Sequence, residues 1–225
     1  MGIVRGLKNI AAATEPREEK ESAEFLKLKD GESVTIRFIN ELDEESKEFD
    51  PSRGLAAIFN EYKPPVKIYP PELNKDAFKN RAACLDEDGP CWPREQGWRS
   101  SPKFYINVLI DDGIDQKVVI WGMATWKNAN FETLKDMAIE EGAISNRTFV
   151  LKRRGSGLDT QYLMRDKGVD KTPFDWTGIE PYDLEKSIRQ IPYEKQEEFF
   201  TKGLRKADEV SDKEQEKPTE DNYNW

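Results

Sequence analysis

The chain has 225 residues, 36% hydrophobic and 35% charged, with a formal net charge of −9 and a mean hydropathy of −0.83. It contains no histidine and two cysteines, Cys84 and Cys91, which excludes a Ser-His-Asp or Cys-His nucleophilic site, an imidazole base and a His-ligated zinc. No apolar run is long enough to span a bilayer and none follows the N-terminal charges as in a signal peptide, so a soluble, cytoplasmic protein without membrane contact is expected.

Charge is spread unevenly. Residues 1–50 carry 8 basic and 13 acidic side chains, residues 51–175 carry 19 and 18, and residues 176–225 carry 8 and 13. The acidic ends set the overall sign. A nucleic-acid partner is therefore not excluded, because the local field decides what binds.

Residues 1–24 open with Ile3, Val4, Leu7, Ile10 and Ala11 at helical spacing, opposite Arg5 and Lys8. A helix this short is marginal alone. The segment reads either as a frayed terminus or as an N-terminal arm that docks on a second copy or a partner. Phe25–Asn40, FLKLKDGESVTIRFIN, alternates at period two after an Asp30-Gly31 turn and predicts strand. An acidic loop follows at 41–50. Leu55–Tyr62 and Val66–Tyr69 read as strand pieces interrupted by Pro64-Pro65, hence at an edge or bend. Residues 72–102 form an irregular, Pro- and Trp-rich insertion holding CLDEDGPCWPREQGW.

Lys103–Trp126 is the strongest β signal. Phe104, Ile106, Val108 and Ile110 share one face of a first strand, Tyr105, Asn107 and Leu109 the other, and Val118–Met123 is apolar on both faces. The face of Phe104 is expected in the core, Trp121 is open to either assignment, and Tyr105 with Lys103 is expected to meet a ligand. Asn130 is the predicted cap of a helix over Phe131–Glu141 that ends at Gly142. A second hairpin, Arg147–Arg153 and Thr160–Arg165, is basic: Arg147, Lys152, Arg153, Arg154, Arg165 and Lys167. Two short helices split by Pro192 are predicted in 181–206. The acidic 207–225, ending Tyr223-Asn224-Trp225, predicts disorder.

Three groups of residues could carry chemistry. Cys84-x6-Cys91 resembles half a zinc site, but tetrahedral zinc takes four ligands and the chain offers two thiols. Two cysteines in a chain read as cytosolic are not expected to form a structural disulfide either. Asp111, Asp112 and Asp115 crowd one turn, whereas a two-metal nuclease gathers carboxylates from separate strands, so no catalytic residue and no enzyme activity is expected. The remaining feature is basic residues interleaved with aromatics. Non-specific binding of single strands uses cations that replace counterions along phosphates and aromatic faces on which bases stack.

The combination of FLKLKDGESVTIRFIN, CLDEDGPC, KFYINVLIDDG followed by VVIWGM, and an acidic tail resembles the tailed-bacteriophage replication single-stranded-DNA-binding proteins, also called helix-destabilising proteins, over about residues 25–165 plus the tail. The resemblance implies an OB-fold core, cooperative coating of single-stranded DNA in phage replication, recombination and repair, self-association through the N-terminal arm, and a C-terminal tail that recruits replication proteins. Some members carry zinc in an inserted subdomain. Here Trp92-Pro93-Arg94-Glu95 stands where further ligands would fall, so a metal-free insertion held by Trp and Pro packing, with no cofactor, is expected.

The sequence therefore predicts a mainly β protein with an OB-fold-like barrel, an irregular insertion, a capping helix and C-terminal helices. Its parts are an arm (1–24), a core (25–175) with the insertion at 72–102, a helical segment (176–206) and a tail (207–225). The expected DNA-binding residues are Arg37, Tyr62, Lys63, Lys67, Tyr69, Arg94, Trp98, Arg99, Lys103, Tyr105, Lys152, Arg153, Arg154, Tyr162 and Arg165. Asp221, Tyr223 and Trp225 are the expected partner contacts of the tail. The alternative is an OB-like protein–protein adaptor that does not bind nucleic acid.

Overall fold

The computed structural model describes residues 23–65, 80–84, 88–111, 113 and 115–202. The predicted N-terminal helix, the strand piece Val66–Tyr69 with Lys67 and Tyr69, and the acidic tail with Asp221, Tyr223 and Trp225 lie outside the described residues.

The strands are β1 (Ser33–Phe38), β2 (Ala57–Tyr62), β3 (Ala82–Cys84), β4 (Ser101–Asp111), β5 (Gln116–Ala124), β6 (Arg147–Arg154), β7 (Gln161–Val169) and β8 (Gln190–Ile191). The helices are α1 (Trp92–Glu95), α2 (Ala129–Glu141), α3 (Leu184–Ser187) and α4 (Tyr193–Thr201). The strands form one mixed, eight-stranded sheet in the order β7-β6-β1-β4-β2-β3-β8, with β5 paired to β4. All pairs are antiparallel except β3 with β8. The fold is mainly β and broadly consistent with an OB-like architecture. Two more strands form than the six legible in the sequence, because β3 and β8 are only three and two residues long.

The long strand β4 is the axis. One edge pairs with β5 along Lys103–Asp111, and the other is shared by β2 over Ser101–Tyr105 and β1 over Val108–Ile110. Period two then separates two faces. The inner face gathers Phe104, Ile106 and Val108 with Ile36, Phe38, Val119, Trp121, Met123, Phe149 and Leu151, all buried, and Leu134 of α2 caps them. Trp121 is thus a core residue, parallel to Phe38 with centroids 6.2 Å apart. Truncating a buried phenylalanine such as Phe149 to alanine costs about 3–5 kcal/mol.

The sheet curls but does not close into a barrel. Among the described residues no bridge joins β5 to β7. The middle of the free β5 edge is taken by the N-terminal segment: the Leu26 amide donates to the Ile120 carbonyl at 2.9 Å, and the Ile120 amide to the Glu24 carbonyl at 2.7 Å. On the β7 side, Asn130 Nδ2 donates to the Tyr162 carbonyl at 2.8 Å, satisfying an edge acceptor that a closing strand would have used. Helix α2 fills the gap. Its cap is Asn128, two residues before the predicted one, whose side chain accepts from the Asn130 and Phe131 amides, and Gly142 ends it in the left-handed conformation at φ 81°.

The insertion folds against the C-terminal helices as a second small core of Tyr62, Ala82, Cys91, Trp98 and Phe200. Contrary to expectation, Cys84 and Cys91 form a disulfide, with Cα atoms 5.8 Å apart. The end of β3 and the residue capping α1 are brought together by a common partner. Gln196 of α4, fully buried, accepts from the Trp92 amide at 2.7 Å, donates to the Ile191 carbonyl at 2.7 Å, and lies 3.8 Å from Cys84 Sγ. Trp92 and Trp98 meet edge-to-face at 5.4 Å, so the expected Trp packing is present. Among the described residues no helix is long and apolar enough to cross a membrane.

Candidate nucleic-acid interface

The expected binding residues divide between two sheet faces. Arg37, Lys103 and Tyr105 lie on the outer face of β1 and β4, and residues 170–188 cover that face. Tyr105 is 5% exposed and sits with Ile120, Leu184 and Ile188. Its partner across the ladder is Gly122, where an added Cβ would lie 2.5 Å from the Tyr105 ring, so the glycine makes room for the tyrosine. The Tyr105 hydroxyl donates to Glu61, also buried. Burial, then the bond to the Glu61 carboxylate, raises the phenol well above its ordinary range. Lys103 Nζ lies 3.8 Å from Glu61 and 5.8 Å from the Tyr105 ring centroid. Burial lowers its pKa, and the Glu61 charge only partly offsets this. Tyr105 is not available to stack on a base, which corrects the sequence-based expectation, and Lys103 is half-buried beside Glu61. Arg37 is half-buried, paired with Asp170 and 4.4 Å from the Phe174 ring.

Three further expectations are corrected by burial. Tyr62 and Trp98 belong to the second core, Trp98 meeting Phe200 edge-to-face at 5.8 Å. Arg153 turns inward, donating to the Leu28 carbonyl and, at 3.2 Å, to Thr160 Oγ1. Arg94 is exposed on α1 and donates to the Gly89 carbonyl. Lys63 and Arg99 are exposed, beside the second core.

The rest of the basic set converges. Residues directly opposite in an antiparallel ladder share a face. Lys152 pairs with Leu163, Val150 with Arg165, and Arg154 with Gln161, so Lys152, Arg154 and Arg165 stand on the outer face of β6–β7, with Lys167 two residues further along the same side. All four cations are exposed, and among the described residues none has an ion pair. Three carboxylates of neighbouring segments are engaged elsewhere: Asp30 accepts from the Gly155 amide at 2.8 Å, Glu32 from the Lys29 amide, and Asp166 from Arg147 at 2.6 Å. Gly155, at φ 77°, must be glycine, because a Cβ would lie 2.4 Å from the Asp159 carbonyl oxygen.

Beside this face, where the sheet fails to close, runs a groove of about 480 Å³. Trp121, Gly122 and Met123 line one wall, Thr160–Leu163 the other, and Lys127–Asn130 at the start of α2 the end. Tyr162, half-buried, presents its ring there, 6.0 Å from Trp121. Lys127 Nζ lies 4.3 Å from the ring centroid of Trp126, which is 74% exposed. Lys127 holds a left-handed backbone at φ 52°, a conformation that disfavours a non-glycine residue.

Trp126 and Lys127 were not among the residues expected to bind. The available signal was a tryptophan just past a strand, followed by Lys-Asn-Ala-Asn, a turn and helix start rather than a core sequence. Together these groups offer four cations in a line with no ion pair among the described residues, an exposed indole and a tyrosine-walled groove, suited to a flexible polyanion with flat aromatic groups. Comparison with protein-family models finds no match, nor do comparisons with curated proteins and with solved structures.

Proposed function

We propose that this protein binds single-stranded DNA on the outer face of β6–β7 and in the adjoining groove. Phosphates meet Lys152, Arg154, Arg165 and Lys167, and bases stack on Trp126 and against Tyr162. The supporting observation is the line of four cations without ion pairs among the described residues, in ladder register with the groove wall, in a chain of net charge −9. A grip of this composition reads backbone charge and base planarity, so little sequence preference follows. In this reading the protein coats DNA during phage replication and recombination, and residues 207–225 carry the contacts to replication proteins.

Titration with oligo-dT at low salt tests the reading. Tryptophan emission is expected to quench, affinity to fall steeply as salt rises, and duplex of the same length to bind more weakly. Absence of quenching at low salt would remove the proposal and leave the adaptor reading. That reading draws support from Ile139, 74% exposed on α2 near the acidic loop.

A further inference from the structure

The outer face of β6–β7 continues onto β1. Ser33 pairs with Lys152 and Thr35 with Val150, so Arg37 projects from the same surface, on the next row of the ladder beside Thr148. Unlike its neighbours on that surface, Arg37 is occupied, and its occupants have a particular chemistry. Asp170 binds the Arg37 guanidinium with one carboxylate oxygen and accepts from the Thr148 hydroxyl at 2.8 Å with the other. The Phe174 ring lies 4.4 Å from the same guanidinium, and Trp176 packs edge-to-face on Phe174 at 4.7 Å. An anionic oxygen group followed by flat rings stacked near a guanidinium is what a nucleotide strand would present there.

The segment carrying these groups lies between firm ends. Before it, Val169 pairs with Arg147 in the ladder. After it, the Tyr182 amide and carbonyl both bond the buried Asn107 side chain, at 3.0 and 2.9 Å. In between, residues 171–173, 175, 177 and 178 are exposed, and no strand or helix forms. The Asp170 amide donates to the Asn146 carbonyl at 2.9 Å and the Trp176 ring lies 5.0 Å from the Arg53 guanidinium, but the residues between them have few buried contacts, and such a stretch opens locally at low cost.

We propose that Asp170–Trp176 is an internal stand-in for the nucleic-acid strand, holding Arg37 in the free protein and yielding it to a DNA phosphate on binding. This rests on the proposed DNA reading of the β6–β7 face. Free protein and complex then differ by one exchange of anions on one arginine: the Asp170 carboxylate leaves, a phosphate arrives, and Phe174 gives up its place to a base. Binding is consequently weaker than it would be with Arg37 free.

Two measurements on the full chain test it. The D170N/F174A variant removes the stand-in while keeping Arg37. Its affinity for oligo-dT is expected to rise about three- to thirtyfold, with a salt slope steeper by about 0.7, the value of one added phosphate contact on a single strand. Amide hydrogen exchange on the unaltered protein is the second readout. The amides of Asp170, Thr177 and Ile179, each hydrogen-bonded in the free protein, are expected to exchange faster when oligo-dT binds, while the Tyr182 amide stays unchanged. If the wild type binds oligo-dT but the variant matches it in affinity and slope, and exchange at 170–179 is unchanged or slowed, the stand-in is overturned and the DNA reading survives. If the wild type does not bind oligo-dT, both fall together.

Discussion

The outer faces of β4 and of β6–β7 carry similar side chains and have opposite fates. On β4, Lys103, Tyr105 and neighbouring Arg37 combine cations with aromatics, and all are consumed within the protein by Glu61, Asp170, Phe174 and the packing of Leu184 and Ile188. On β6–β7, Lys152, Arg154, Arg165 and Lys167 meet water. The difference lies in what crosses over the sheet, since residues 170–188 lie across β4 and leave β6–β7 bare. A basic and aromatic strand sequence thus identifies a binding face only once the second layer is known.

The contrast breaks most visibly if the bare face is disarmed. K152A/R154A/R165A is expected to lower oligo-dT affinity about 100- to 1,000-fold at about 50 mM salt. Circular dichroism should show the fold intact, because these side chains are exposed. Next in size is a change far from both faces. Reducing the Cys84–Cys91 bond opens a short loop and should cost about 2–3 kcal/mol of stability in the insertion by the chain-entropy relation. Denaturant titration with and without a thiol reductant measures it, and oligo-dT affinity should not move.

W126A probes the groove side. Loss of one stacking platform should weaken binding by about 1–3 kcal/mol, with little change in melting temperature given the exposure of the indole. Y105F is its counterpart on the covered face. It removes a buried hydrogen bond to a carboxylate, worth about 1.5–3 kcal/mol of stability, and should leave DNA binding unaltered, as urea melts and titrations on the same sample would show. The smallest effect concerns Lys103. Its folded pKa lies below that of the unfolded chain, so the cost of burying its charge is present at neutral pH. Stability from this residue is gained as pH rises through the lowered value toward about 10.5. K103M should therefore be at least as stable as wild type near neutrality, and the difference should shrink in alkali.

Much of the fold was legible because period-two patterning is local. Phe104, Ile106, Val108 and Ile110 fall on the inner face as their spacing predicts, and Gly142 ends the helix where predicted. The short strands β3 and β8 were not legible, since they exist only through long-range pairing, β3 with β2 and with β8. The disulfide was missed for a related reason. The compartment argument concerns whether thiols stay reduced and says nothing of how close the chain brings them, whereas Gln196 gathers both ends of that loop from more than a hundred residues away.

The candidate site was half legible. Lys152, Arg154, Arg165 and Tyr162 follow from the basic hairpin. Arg153, one position along, faces inward by strand alternation, which the run Lys152-Arg153-Arg154 conceals until the hairpin's faces are assigned. Tyr105 had the right chemistry for stacking, but Gly122 and the crossing segment make it a core residue, and neither contact is local in sequence. Trp126 directly follows the core strand β5, and its sequence position does not distinguish it from that strand's buried residues.

The central claim is that the open β6–β7 face, and not the covered face of β4, grips the strand. The salt dependence of oligo-dT binding, measured side by side for wild type, K152A/R154A/R165A and Y105F, tests it most directly. The triple variant is expected to lose about 2 units of the log–log salt slope, three contacts at about 0.7 each, while Y105F keeps the wild-type slope. Equal slopes for wild type and the triple variant would contradict it.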